Sequence, residues 1–368
     1  MATTGQKDTF ARDNLPPRSL WPEFKFDLPG LQYPERLNCV TELLDKWVAA
    51  GEGARPCLLS HAESLTYAQL AERVNRIANV LTRDLGFVSG HRVLLRAPNN
   101  PMMVAAYLAV MKAGGVVVAT MPLLRAKELS YPLAKGKIAL ALCDARLNDE
   151  MEKAKAQSPD LKRVVYWGDG APDSLEAMMA KPGYETFTAC DTAAEDVCLI
   201  GFTSGTTGEP KGTMHFHRDL LATCDSYGKH VLRALPSDRF TGSPPLAFTF
   251  GLGGMLCFPM RFGASTVLME RLTPKSLLET IQKFKATICF TAPTFFRQMS
   301  QVAKAHPTPS LKKCVSAGEA LPDATRQMFK QATGIEIIDG LGATEMIHIF
   351  VSHTPERTRR GATGYAIP

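Results

Sequence analysis

Phe202-Thr-Ser-Gly-Thr-Thr-Gly-Glu-Pro-Lys-Gly212 places four hydroxyls, three glycines and one lysine in eleven residues. Such a composition suits a loose linker as well as a loop that holds anionic oxygens. The residues before it decide between the two. Val197–Phe202 is a short apolar run bounded by polar residues, the pattern of a buried strand, so the loop leaves a strand's carboxyl end. Two further polar, glycine-bearing segments repeat this placement. Ser316-Ala-Gly-Glu-Ala-Leu-Pro322 follows a strand predicted over Lys313–Ser316, and Asp339-Gly-Leu-Gly-Ala-Thr-Glu345 follows one predicted over Ile335–Asp339. In open α/β sheets the carboxyl edge is where ligands bind.

The rest of the chain supports such a fold. Leu70, Val74, Ile77 and Leu81 recur on one face of a helix that begins at Thr66, where Thr66-Tyr-Ala-Gln69 matches a capping box. Strands are predicted at Arg92–Ala97, Val116–Thr120, Ala139–Cys143, Arg163–Trp167, Ser265–Met269 and Ala286–Phe290. Helices are predicted at Pro101–Ala113, Pro274–Phe284, Pro293–Lys304 and Pro322–Thr333, each with proline at or near its first turn. Strand–helix alternation of this kind gives an α/β fold of mostly parallel sheets covered by helices. The sequence divides into an N-terminal arm over 1–40, a first α/β subdomain over 41–190 and a second over 191–368. Gly168–Glu195, rich in Gly, Pro, Asp and Thr, reads as the connection between lobes.

Composition excludes several classes. With 45% hydrophobic and 21% charged residues the chain is an ordinary globular protein. The net charge of +6 comes from interspersed residues of both signs, so no nucleic-acid partner is indicated; the densest basic stretch, Arg357-Thr-Arg359-Arg360, reads as solvated surface. The nine cysteines have no CxxC spacing and sit mostly in apolar surroundings, as in a reduced cytoplasmic protein. His215 and His217 are explained by an alternating strand end as well as by a metal. No signal pattern opens the chain. The apolar run from Met103 to Leu124 is broken by Lys112 and Gly114-Gly115, so it reads as a buried helix and strand and not as a membrane span.

The first loop offers backbone N–H groups, hydroxyls and an ammonium, all suited to phosphate oxygens. It is not a Walker A loop, because Pro210 stands where that pattern needs glycine before lysine. Nor do Gly251-Leu-Gly253-Gly-Met-Leu256 or Gly340-Leu-Gly342-Ala-Thr-Glu345 complete a dinucleotide fingerprint. The third loop ends in Thr344 and Glu345, oxygen donors of the kind a hard cation takes. Together these features suggest an ATP–Mg²⁺ site of unusual type.

At these residues the sequence resembles the adenylate-forming superfamily of acyl-CoA synthetases, peptide-synthetase adenylation domains and luciferases. The phosphate loop of that family is matched by FTSGTTGEPKG, its second hallmark by Gly342-Ala-Thr-Glu345, and its adenine segment by SAGEALP; the resemblance covers about residues 40–368. Within the superfamily, Leu246–Gly254 (LAFTFGLGG) and Ala343–Ser352 (ATEMIHIFVS) are most similar to benzoate- and 2-aminobenzoate-CoA ligases. The resemblance implies that an aromatic carboxylate attacks the α-phosphate of ATP, and that coenzyme A thiolate then displaces AMP. Thr203, Ser204, Gly205, Thr206, Thr207, Gly208 and Lys211 would hold the β- and γ-phosphates. Thr344 would contact the α-phosphate and Glu345 would bind Mg²⁺, making Lys211, Thr344 and Glu345 the catalytic set. Gly318, Glu319 and Ala320 would line one face of the adenine, with Asp339, Gly340, Leu341 and Gly342 opposite. The acid would lie among Phe248, Thr249, Phe250, Gly251, Phe258, Ala317, His348 and Ile349, with the Thr249 hydroxyl facing a ring substituent.

The family continues with a further lobe and a small C-terminal domain that have no counterpart in Met1–Pro368. The resemblance therefore implies an N-terminal portion that binds acid or adenylate, forms adenylate poorly and makes no thioester at a useful rate. Loading of an aryl acid onto a carrier protein, or binding without turnover, stays open as an alternative. The partners implied are the aromatic acid, ATP and coenzyme A, with no nucleic acid and no membrane; a homodimer is left open.

Overall fold

A computed structural model describes residues 3–203, 208 and 210–368. Ser204, Gly205, Thr206 and Thr207, expected to hold phosphates, lie outside the described residues. The strands, in chain order, are β1 (Pro56–Leu59), β2 (Ser64–Thr66), β3 (Arg92–Arg96), β4 (Val116–Thr120), β5 (Leu140–Asp144), β6 (Arg163–Trp167), β7 (Val197–Thr203) and β8 (Lys211–Phe216). They continue with β9 (Arg239–Gly242), β10 (Ser265–Val267), β11 (Ile288–Thr291), β12 (Lys313–Ser316), β13 (Ile337–Gly342), β14 (Ile349–Ser352) and β15 (Tyr365–Ala366). They form two mostly parallel sheets covered by helices, the α/β architecture that the alternation of elements predicts.

The chain forms two compact units, Met1–Ala54 with Tyr67–Leu220, and Arg55–Thr66 with Leu221–Pro368. In the first unit the sheet order is β6-β5-β3-β4-β7-β8, parallel except for β8. The division expected at residue 190 is displaced, because β7 pairs with β4 and carries β8 with it. For the same reason Gly168–Glu195 does not connect lobes: the strands on either side of it, β6 and β7, share one sheet. The arm is also part of this unit. Buried Gln6 donates its side-chain amide to the carbonyls of Gly114 (3.1 Å) and Val197 (2.7 Å).

Two adjoining apolar segments explain the core of this unit. Asn100 caps the helix Pro101–Lys112 by accepting from the Met103 N–H at 2.9 Å, and Pro101 occupies its first turn. The helix is apolar on nearly every side and correspondingly buried. At its end the buried Lys112 ammonium reaches the Asp45 carboxylate (2.8 Å) and the Asn75 side-chain oxygen (2.7 Å), which compensates its desolvation. Among the described residues no helix is long and apolar enough to cross a membrane.

In the second unit the order is β15-β14-β13-β12-β11-β9-β10-β1-β2, with β9 to β13, β10 and β1 parallel and the outer strands antiparallel. Helices Pro274–Phe284, Pro293–Val302 and Asp323–Thr333 supply Leu277, Ile281, Phe296, Met299 and Phe329 to its core. Thr273 and Ser276 cap the first of these reciprocally, and Lys285 ends it in the left-handed conformation. The parallel strands put the chain after β9, β12 and β13 on one edge of the sheet.

Candidate adenylate site

In the first unit, β7 and β8 form an antiparallel hairpin that sets Thr203 opposite Lys211 at the carboxyl end of β7. Lys211 and Gly208 are exposed and Thr203 is half-buried. The Tyr131 hydroxyl donates to the Pro210 carbonyl at 2.8 Å, and its ring meets Phe202 edge-on at 6.1 Å. One side chain thus braces both sides of the hairpin next to its loop. Tyr131 carries no motif that marks it in the sequence.

In the second unit, β12 and β13 run in register with Ser316 beside Asp339. Beyond Ser316 the chain continues through buried Ala317 and turns at Gly318, whose φ of +88° lies in the left-handed region open to glycine. Gly318, Glu319 and Ala320 are exposed on this edge. Asp339 is half-buried, and its carboxyl is held above the usual range by burial. Its backbone is fixed on both sides: the N–H donates to His353 Nε2 at 3.1 Å, and the carbonyl accepts from Ser352 Oγ at 2.7 Å. Ala320 and Asp339 line a cleft of about 250 Å³ together with His353, Thr358, Arg359 and Arg360. Arg359 and Arg360 rim this cleft and stay exposed, as expected of a solvated basic stretch.

The expected loop Asp339–Glu345 is largely strand. Residues through Gly342 belong to β13 and pair with β14, with an irregularity between Leu341 and Gly342. Gly340 is buried under Ile349, while Leu341 and Gly342 are exposed. The turn itself is confined to Ala343–His348. It holds Thr344 half-buried and Glu345 exposed in a short 3₁₀ segment, followed by buried Ile347 at φ +63°. A β-branched residue in that region is strained, a condition that persists where the surroundings over-determine it.

His348 comes next and sits inside a cluster of rings. Its centroid lies 4.7 Å from Phe258, 5.3 Å from Tyr227, 5.4 Å from Phe250 and 6.0 Å from Phe290. Burial lowers its pKa to about 3, against an opposing effect of the Phe250 backbone, so the imidazole is neutral at pH 7. Neither ring nitrogen has a hydrogen-bond partner of normal geometry among the described residues. The glycines of Leu246–Gly254 make this proximity feasible. A Cβ on Gly253 would overlap the His348 Cδ2, and one on Gly251 would overlap the Pro245 carbonyl. Thr249 opens the helical segment Thr249–Leu252 half-buried, and Phe248 before it is 48% exposed.

The structure thus brings Phe250, Phe258 and His348 into one cluster, while Gly251 packs against the Pro245 carbonyl and Ile349 against Gly340. Phe248 stands outside the buried rings. Tyr227 and Phe290, which belong to the cluster, are not marked by sequence. Phe290 lies near the carboxyl end of β11, and that position is the one signal that points to it.

The second unit thus carries glycine turns, an exposed carboxylate and a ring cluster on the edge of its parallel strands. The AMP-binding enzyme family matches residues 45–368, and the chain belongs to that family. It is 33% identical over 343 residues to a benzoate–CoA ligase of Thauera aromatica, covering 92% of this chain and 65% of that protein. An anthranilate–CoA ligase of Pseudomonas aeruginosa is 29% identical, covering 84% of this chain and 58% of that one. The crystal structure of the anthranilate CoA ligase AuaEII in complex with anthranoyl-AMP matches with a TM-score of 0.87 and 32% identity, over 91% of this chain and 65% of that chain. The chain therefore spans about two thirds or less of the length of these relatives.

Proposed function

We propose that the chain carries the acid- and nucleotide-binding site of an aryl-acid–CoA ligase, activating a benzoate or 2-aminobenzoate as its adenylate for transfer to coenzyme A. The observation that carries this reading is the neutral His348 held among Phe250, Phe258, Tyr227 and Phe290. A flat ring is matched there by aromatic edges and faces, and an uncharged imidazole does not attract the substrate carboxylate into the ring pocket. Its nitrogens, without a partner of normal geometry among the described residues, suit a polar ring substituent.

The remaining roles follow the family resemblance. Lys211 and the hydroxyls of Thr203, Ser204, Thr206 and Thr207 hold the triphosphate, with Gly205 and Gly208 permitting close backbone approach. Thr344 contacts the α-phosphate. Gly318, Glu319 and Ala320 flank the adenine opposite Asp339, Gly340, Leu341 and Gly342, and Ala317 and Ile349 close the acid pocket beside Phe248, Thr249 and Gly251. The exposed Glu345 carboxylate fits Mg²⁺, which keeps several waters and takes one or two carboxylates beside substrate phosphates. When bound, that ion neutralises charge on the phosphate oxygens. The chain's own part is to orient the acid oxygen toward the α-phosphate and to present fixed donors to the charge that develops there.

Calorimetric titration with benzoate and 2-aminobenzoate, each with and without AMP, tests this reading. Binding of both acids, tightened by AMP, is expected. Equal binding of acetate and the aromatic acids would contradict it.

A further inference from the structure

A second cluster lies in the first unit, away from the hairpin tip. The ligating atoms of Cys39, Cys198 and His217 lie within 4.8 Å of one another, and all three residues are buried. They come from three places in the chain: Cys39 just before the helical turn Thr41–Asp45, Cys198 in β7, and His217 at the start of the helix His217–Thr223. Cys39 Sγ is 3.2 Å from His217 Nδ1 and 3.9 Å from Met111 Sδ. Among the described residues His217 Nε2 is buried with no hydrogen-bond partner. At this end of the hairpin Val197 pairs with Phe216, whereas Thr203 pairs with Lys211 at the other. Five residues of strand at about 3.3 Å each put Cys198 roughly 17 Å from Thr203, so the cluster has no part in the proposed adenylation.

We propose that Cys39, Cys198 and His217 form a buried structural site for a thiophilic divalent metal ion of the Zn²⁺ class. Two sulfurs and an imidazole are the donor set such an ion selects. Zn–S bonds of about 2.3 Å and Zn–N bonds of about 2.0 Å set tetrahedral ligand atoms roughly 3.5–3.8 Å apart, within reach of the present arrangement. Charge selects the valence. Two thiolates and one divalent ion sum to zero with a neutral imidazole, and a neutral set is the one an interior tolerates; a monovalent ion would leave a net negative charge. Met111 Sδ stands where it can supply a weak fourth contact. On loading, each cysteine thiol still protonated releases its proton to solvent, and its sulfur lone pair forms the bond to the metal. The Cys39 N–H, which donates to His217 Nδ1 at 3.1 Å, gives up that bond to the ion. The ion then joins the segment around Cys39 to the root of the β7–β8 hairpin.

The test is to strip the purified chain with a chelator and titrate it with Zn²⁺ and with Cd²⁺. The expected result is one equivalent bound, a Cd–thiolate charge-transfer band of two sulfurs, and a raised Tm. Cys198→Ala should weaken Zn²⁺ binding by more than about tenfold and halve the band, whereas Cys190→Ser, outside the cluster, should change neither. Failure of the stripped chain to bind Zn²⁺, or a Cd²⁺ band unaltered in Cys198→Ala, overturns the proposal. If Cys198→Ala does not fold, X-ray absorption of the Zn²⁺-loaded chain decides. A shell of two sulfurs and a nitrogen supports the site, and any shell without both sulfurs overturns it.

Discussion

The imidazole of His348 meets the ring of Phe258 edge-on, with centroids 4.7 Å apart and planes inclined at 74°. This contact keeps the imidazole out of water, and burial lowers its pKa from 6.5 to about 3. Between those values the unfolded chain binds a proton that the folded chain does not, so stability falls as pH drops from 6.5 toward 3. Above 6.5 the contribution of His348 to this slope vanishes. Urea unfolding across that window should show a shallower acid slope in His348→Phe than in the parent chain; parallel slopes would mean that the imidazole is not buried neutral.

Gly253 is set against His348 so closely that a methyl group cannot be added without displacing one of them. Gly253→Ala should therefore cost about 1–3 kcal/mol, the usual range for overpacking, and should weaken benzoate binding. A thermal melt together with calorimetry reads both effects. An unchanged Tm with unchanged affinity would show that the helical segment can withdraw from the imidazole.

Tyr131 holds the loop end of the hairpin through the Pro210 carbonyl. Removing only its hydroxyl in Tyr131→Phe should cost about 0.5–1.5 kcal/mol, the net worth of one hydrogen bond, while the ring contact with Phe202 survives. Nucleotide affinity should fall with it, because the hairpin carries Thr203 and Lys211. Equilibrium dialysis with ATP and Mg²⁺ measures this, and undiminished affinity would separate the brace from the phosphate site.

Thr249, half-buried at the start of its helical segment, offers a hydroxyl to a ring substituent. Thr249→Ala should lower the preference for 2-aminobenzoate over benzoate by about threefold to tenfold, equivalent to about 0.5–1.5 kcal/mol. The ratio of the two Kd values is the readout; a ratio equal to that of the parent removes Thr249 from substituent recognition.

Strands such as β4, β6 and β12 were legible because each is a compact apolar run closed by a glycine or polar turn, and proline marked the openings of the helices at 101, 274 and 293. The short pair β1–β2 was not, since three or four residues carry too little periodicity to register. β8 was glimpsed only as the strand end at His215, because Lys211-Gly-Thr-Met-His215 alternates weakly, and its pairing with β7 displaced the expected division of the chain. The helix Ala126–Lys135 contains Pro132, which masked it. For the site, the glycine turns were visible as local patterns. Tyr227 and Phe290 were not, because their proximity to His348 arises from folding across more than fifty residues. Ser352 and His353, which fix the Asp339 backbone, are likewise partners only once β13 and β14 pair.

The most direct test is a crystal structure of the chain with a hydrolysis-resistant 2-aminobenzoyl-adenylate. The account predicts electron density for the ring against Phe250, Phe258 and His348, with the adenine beside Ala320 and Asp339. Density for the ring or the adenine elsewhere, or a chain that takes up no adenylate at saturating concentration, would contradict it.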